Sequence, residues 1–239
     1  MWHAKITGGF GSIGDPDAED NANEMRKVLS DNGWCVAACA ALLGNSAGEG
    51  GLNPWRWESD NVPTYAQFLE WSTSAPMTHG YGLLGFTPAK SYINDANASK
   101  YAKNGYAPNF SDRPGNPSDG GGQMAYFSDT WAANFTANLY NYYNRTFSAI
   151  GVDINTFYYI SADEFMAGKD SAGNIYTMEQ MVGAFETKYE KPNNAAAASS
   201  YAHRVEQGKK WYEYFTGHPI PPTPSKSRKL PIYFYLRKF

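Results

Sequence analysis

Cysteine is nearly missing from this chain: 239 residues contain two, Cys35 and Cys39. They stand four apart in an apolar helical pattern with Val36, Ala40 and Leu43. At that spacing their Cβ atoms project in parallel, which disfavours a disulfide, so both read as reduced core residues. Histidine is sparse as well. The four histidines, His3, His79, His203 and His218, show no ligand spacing, so neither a metal centre nor a cofactor is expected. No apolar run is long enough to span a bilayer, and Met1-Trp2-His3-Ala4-Lys5 lacks the apolar stretch of a signal peptide. An excess of positive charge is lacking too: 20 Lys and Arg face 23 Asp and Glu, a net charge of -3, which argues against a nucleic-acid partner.

One motif is present and fails on context. Gly9-Phe10-Gly11-Ser12-Ile13-Gly14 fits G-x-G-x-x-G, but Asp15-Pro16-Asp17-Ala18-Glu19-Asp20 follows. That acidic run would repel a pyrophosphate from the helix start that the motif needs. The glycines read instead as part of a flexible N-terminal segment, residues 1–17.

The remaining pattern is mostly helical, and 239 residues suffice for one core with short additions. Ala22, Met25, Val28 and Leu29 predict a helix over 18–32 that stops at Gly33. A second helix covers 35–48 and a third 63–73. Thr87-Pro88 predicts a helix start running toward Asn97. Residues 95–122 are rich in turn formers and read as a surface loop beside a cleft. Met124, Phe127, Trp131, Phe135 and Leu139 predict one long helix over 123–148. Ser161 with Glu164, and Thr177 with Gln180, fit the capping box. A last helix spans 199–216, closing a domain over 18–217. Residues 218–239 then combine a stiff proline-rich linker with an aromatic, basic tail.

Chemistry concentrates at Glu49. An apolar helix runs into this acid, two glycines break it, and Asn53-Pro54 carries the chain away extended. A carboxyl at the lip of a packed core keeps its proton toward neutral pH, because burial disfavours the charged form, and can then protonate a leaving group. A second block, Gly80-Tyr81-Gly82, sets two glycines around an aromatic. That lets backbone approach a ligand closely and leaves amides and carbonyls for sugar hydroxyls, with Tyr81 available to lie against a ring.

Leu43-Gly44-Asn45 through Glu49 to Asn53-Pro54, then Gly80-Tyr81-Gly82-Leu83-Leu84-Gly85-Phe86-Thr87-Pro88-Ala89, then Phe185, Tyr189-Glu190-Lys191-Pro192, Asn194, Arg204 and Trp211-Tyr212 together resemble the phage tail lysozyme family of the lysozyme-like superfamily. The resemblance covers most of 20–216. It implies a mainly α, α+β fold, a lysozyme-like domain with a small β insertion beside the cleft, between Leu52 and Tyr81. It implies a glycosidase that cuts the glycan strand of peptidoglycan with Glu49 as general acid. Asn53, His79, Tyr81, Gly82 and Thr87 are the substrate-binding candidates. It also implies a place in a virion tail, where 219–239 can contact other tail proteins. The chain departs from the family where Gly50 follows the acid and Gly85 precedes Phe86.

A second carboxylate carries no motif. Glu58, Asp60 and Glu70 lie in the right stretch, and Asp60 is preferred because a turn-rich neighbourhood suits a hydrated base. Glu190 with Arg204 reads as an ion pair between the last helices. Three alternatives stand beside the hydrolase: a lytic transglycosylase using the same Glu49, a lysis-stage endolysin, and a non-catalytic wall-binding or tail-structural protein.

Overall fold

The computed structural model describes residues 1–49, 51–73, 79–102 and 108–218, with the side chains of 47–49, 72, 73 and 194 outside that description. The proposed linker and tail, 219–239, lie outside it too. The chain is mainly helical: α1 (Pro16–Asp31), α2 (Val36–Glu49), α3 (Tyr65–Thr73), α4 (Asp95–Tyr101), α5 (Asp119–Asn134), α6 (Tyr140–Ala149), α7 (Ala162–Ala167), α8 (Met178–Phe185) and α9 (Asn194–Gly217).

α1 begins where its residues dictate. The Asp15 carboxylate accepts the Asp17 and Ala18 amides, and Pro16 takes the first turn. That carboxylate occupies the anion position a dinucleotide would need. Ala18, Ala22, Met25 and Leu29 form the buried stripe, all at 0% exposure.

α2 is the central helix, buried on every side from Ala38 to Ser46. α9 packs along it in the opposite direction. A Cβ on Gly44 would fall 2.5 Å from the Arg204 carbonyl and 2.8 Å from the Gly208 amide, so the two backbones meet at a spacing that only glycine permits. Gly208 in turn meets Met178 and Val182 of α8. Both expected capping boxes are present, at Ser161 with Glu164 and Thr177 with Gln180. Both cysteines are free. Burial pushes the Cys39 thiol up to about 12, and the Cys35 sulfur accepts the Ala38 amide at 3.3 Å.

Four expectations need correcting. The helix read over 123–148 is two helices, because tertiary bonds divert the backbone between them. Phe135 turns into a ring cluster with Trp131 and Phe165, the Thr136 amide donates to Lys188 O at 3.2 Å, and the Leu139 amide donates to the Tyr158 hydroxyl at 2.6 Å. The helix expected after Pro88 is a short turn, Ala89–Ser91, and α4 starts afresh because the Asn94 side chain caps Asn97. α4 and the start of α5 occupy part of the stretch read as loop. Gly120 and Gly122 suit this helix because a Cβ at either would fall 2.5 Å from Trp2 or 2.6 Å from the Tyr101 carbonyl.

The N-terminal segment, expected to be flexible, is bonded along its length. His3 lies between Asp17 and Asp20 at 3.1 and 2.9 Å. The Asn53 amide accepts from the Lys5 amide at 3.2 Å and donates to the Lys5 and Gly8 carbonyls at 3.0 and 2.6 Å. The Phe10 amide donates to Gly51 O at 2.8 Å. Among the described residues, the region of the expected β insertion holds isolated bridges, Trp57 with Tyr81 and Tyr81 with Phe86. No described helix is long and apolar enough to cross a membrane.

Candidate active site

A cavity of about 790 Å³ opens between two walls. The first is made of Arg56, Trp57, Glu58 and the turn from Gly80 to Thr87. The second is made of Tyr126, Thr130 and Asn134 on α5, residues 189–193, and Ala196 on α9.

The first wall is a turn folded back on itself. Tyr81 and Phe86 exchange amide-to-carbonyl bonds at 3.1 and 2.9 Å, the Gly82 amide donates to Arg56 O at 2.7 Å, and the Glu58 amide donates to Gly80 O at 2.8 Å. Behind it Gln123 acts as a buried strut. Its Oε1 accepts the Leu83 amide at 2.9 Å, and its Nε2 donates to Pro54 O at 2.8 Å and to Asp119 Oδ2 at 3.2 Å. A side chain at Gly82 would collide with this amide. Asp119 also accepts the Tyr92 hydroxyl at 2.7 Å. Burial raises the Asp119 pKa, opposed by its bonds from Tyr92 and Gln123. Nothing in the sequence reading singled out Gln123 or Asp119; their spacing of four, one helical turn, is the only signal available.

The second wall follows from α8. This helix continues into a π-helical turn, Glu186–Glu190, and Lys191 then adopts left-handed φ and ψ of 50° and 49°. Turns of this kind recur where a helix must present side chains to a site. The Lys191 ammonium donates to Asn134 O at 3.2 Å and Thr136 Oγ1 at 2.8 Å, and burial lowers its pKa. Among the described residues Arg204 pairs with the fully buried Glu186 and not with Glu190 as expected: Nε lies 3.4 Å from Oε1, and Nη1 donates to the Asn45 carbonyl at 3.2 Å. One turn along the helix decides which glutamate the guanidinium meets.

The predicted site residues divide. Gly82 and Thr87 line the cavity. Tyr81 is 0% exposed, its ring 4.7 Å from that of Trp57, so stacking on a sugar is not open to it. Its hydroxyl has no hydrogen-bond partner among the described residues, and burial raises its pKa well above the ordinary value. The tyrosines that line the cavity are Tyr126 and Tyr189. Asn53, fully buried, clamps the N-terminal segment and shapes the cleft only indirectly. His79 stacks on Trp71 at 4.1 Å and is not a lining residue. Asp60 is exposed, does not line the cavity, and accepts from Arg56 Nε and from the Gly8 amide, both at 3.0 Å. This bonded carboxylate replaces the hydrated base expected there. Glu58 does line the cavity and accepts the Gly80 amide at 2.9 Å. The backbone of α2 ends at Glu49, whose side chain, with all of Gly50, lies outside the described residues.

Fold and cleft together define a mainly helical domain with a polar, aromatic-lined cavity at one end of its central helices. The sequence profile of the phage tail lysozyme family matches residues 20–215, and the chain belongs to that family. Membership implies a lysozyme-like, peptidoglycan-lytic protein with a virion tail as its setting.

Proposed function

We propose that this protein hydrolyses the glycan strand of peptidoglycan between its two amino sugars, with Glu49 as general acid, and that it opens the wall locally as part of a phage tail. The observation that carries the reading is the end of α2. Its preceding turns are fully buried, and at this same end of the helical core residues 189–193 and Ala196 line the cavity. A carboxyl at a helix C-terminus meets the negative end of the helix dipole, which favours its protonated form. Such a group can deliver a proton to a glycosidic oxygen.

Gly82 and Thr87 would meet the sugar from the turn wall, and Tyr126 and Tyr189 would offer it ring surface from the helical wall. Residues 219–239 would dock the domain to another tail protein. Turbidity of a cell-wall suspension tests the acid: parent protein should clear it and Glu49→Gln should not. Mass spectrometry of the fragments then separates hydrolysis, which leaves reducing ends, from transglycosylation, which leaves anhydro-sugar ends. Equal clearing by both proteins, or fragments with anhydro ends alone, would overturn the proposal.

A further inference from the structure

Two cations line the cavity, and the fold treats them differently. Arg56, on the turn wall, is paired with Asp60 at 3.0 Å. Lys191, half-buried on the helical wall, enters no ion pair among the described residues. Its ammonium donates to two uncharged oxygens, Asn134 O and Thr136 Oγ1. An ammonium carries three N–H groups, so one donor and the whole charge stay without a protein partner.

The backbone holds that charge in place. The Lys191 amide donates to Glu186 O at 2.8 Å, the next carbonyl, Pro192 O, accepts the Tyr143 hydroxyl at 2.9 Å, and Asn193 Oδ1 caps α9 on the Ala196 amide at 3.0 Å. Burial lowers the Lys191 pKa and no neighbouring acid offsets it, so neither acid lining the cavity, Glu58 or Glu190, acts as its counter-ion. Glu58, on the opposite wall, accepts the Gly80 amide instead. Withdrawing a cation from water without a partner costs stability. An anionic group in the cavity would offset that cost.

The sugar backbone of peptidoglycan is uncharged, and the ionised groups nearest its rings are carboxylates. They belong to the lactyl group of a sugar that lacks its peptide, or to the peptide stem itself. We infer that Lys191 is a specificity residue whose ammonium binds a carboxylate on the lactyl-peptide branch of the strand. A cavity built this way favours a wall strand over an uncharged amino-sugar polymer. The inference rests on the proposed peptidoglycan substrate, whichever group supplies the proton.

The test compares cleavage kinetics and thermal melting of the full chain as parent, Lys191→Gln and Lys191→Arg. The substrates are soluble uncrosslinked strands with intact stems, strands stripped by an amidase and so left with lactyl carboxylates, and both preparations with their carboxylates capped as neutral amides. Lys191→Gln keeps N–H donors for Asn134 and Thr136 and loses the charge. On a charged preparation it should raise KM about tenfold or more with kcat unchanged, and Lys191→Arg should restore most of that loss. A rise on intact strands places the carboxylate on the stem; a rise on stripped strands places it on the lactyl group. On capped strands parent and Lys191→Gln should share one KM. The parent's own KM should rise by the same factor on capping, a comparison that needs no variant. Equal KM values for parent and Lys191→Gln on both charged preparations, or a rise as large on capped strands, overturns the inference and leaves the lytic function standing. A parent that cleaves none of the strands removes the proposed function, and the inference with it.

Discussion

The two walls of the cleft are held by different forces. The helical wall of α2, α8 and α9 is fixed by apolar burial and close backbone approach, with one buried ion pair locking its register. The turn wall, 52–60 and 80–87, has little regular structure and stands because side chains satisfy its backbone: Gln123 behind Leu83 and Pro54, Asn53 beneath the N-terminal segment, Glu58 on the Gly80 amide. The first arrangement would give the proposed acid a rigid mount, where small displacements cost rate steeply. The second supplies backbone groups near a ligand, and each of them depends on a named polar partner.

The sharpest break of this comparison is Glu49→Gln, which should lower the lytic rate about 10²–10⁴-fold without changing the melting temperature. An active variant would leave the helical wall without its proposed role. Next comes Arg204→Met. Removing one partner leaves Glu186 charged and buried, so chemical denaturation should show a loss of about 3–5 kcal/mol. A smaller but more selective effect is expected for Gln123→Ala. It leaves the Leu83 amide and the Pro54 carbonyl without their partner, at about 1–3 kcal/mol. If the walls differ as described, this variant should lose wall-lytic activity more than stability at working temperature, whereas Arg204→Met should show the reverse.

The smallest effect is a slope with pH. Lys188 is 4% exposed, donates to the Ile160 carbonyl, and lies over the Phe135 ring at 4.3 Å. Burial lowers its pKa from 10.5 to about 8. Between those values the native protein holds fewer protons than the unfolded chain, so native stability should rise with pH. Denaturation midpoints of parent relative to Lys188→Met should therefore climb from pH 8 to 10.5, and a flat difference would show that Lys188 stays charged.

Legibility in the sequence followed the same division. α1, α2, α8 and α9 could be read from apolar spacing, Gly33 and the capping box at Thr177, because a helix that buries one face writes its period into the chain. Where rings interrupt that period, as at Phe135 between α5 and α6, the sequence still looked continuous. A buried turn without period gave only its glycines. Its supports lie far along the chain, Gln123 40 residues beyond Leu83 at the first position of the expected helix and Asp119 in the glycine-rich stretch read as loop, and Asp60 looked available only because its bonds to Arg56 and Gly8 are tertiary.

By itself the sequence determined a mainly helical chain, an acid at the end of its most apolar helix, and family membership, since each of these is local: spacing, caps and residue order. Tertiary structure alone decided which glutamate meets Arg204, that Tyr81 is core and not surface, and which carboxylates line the cavity. Those outcomes turn on single helical turns and on packing between segments far apart in the chain, and no local pattern encodes either.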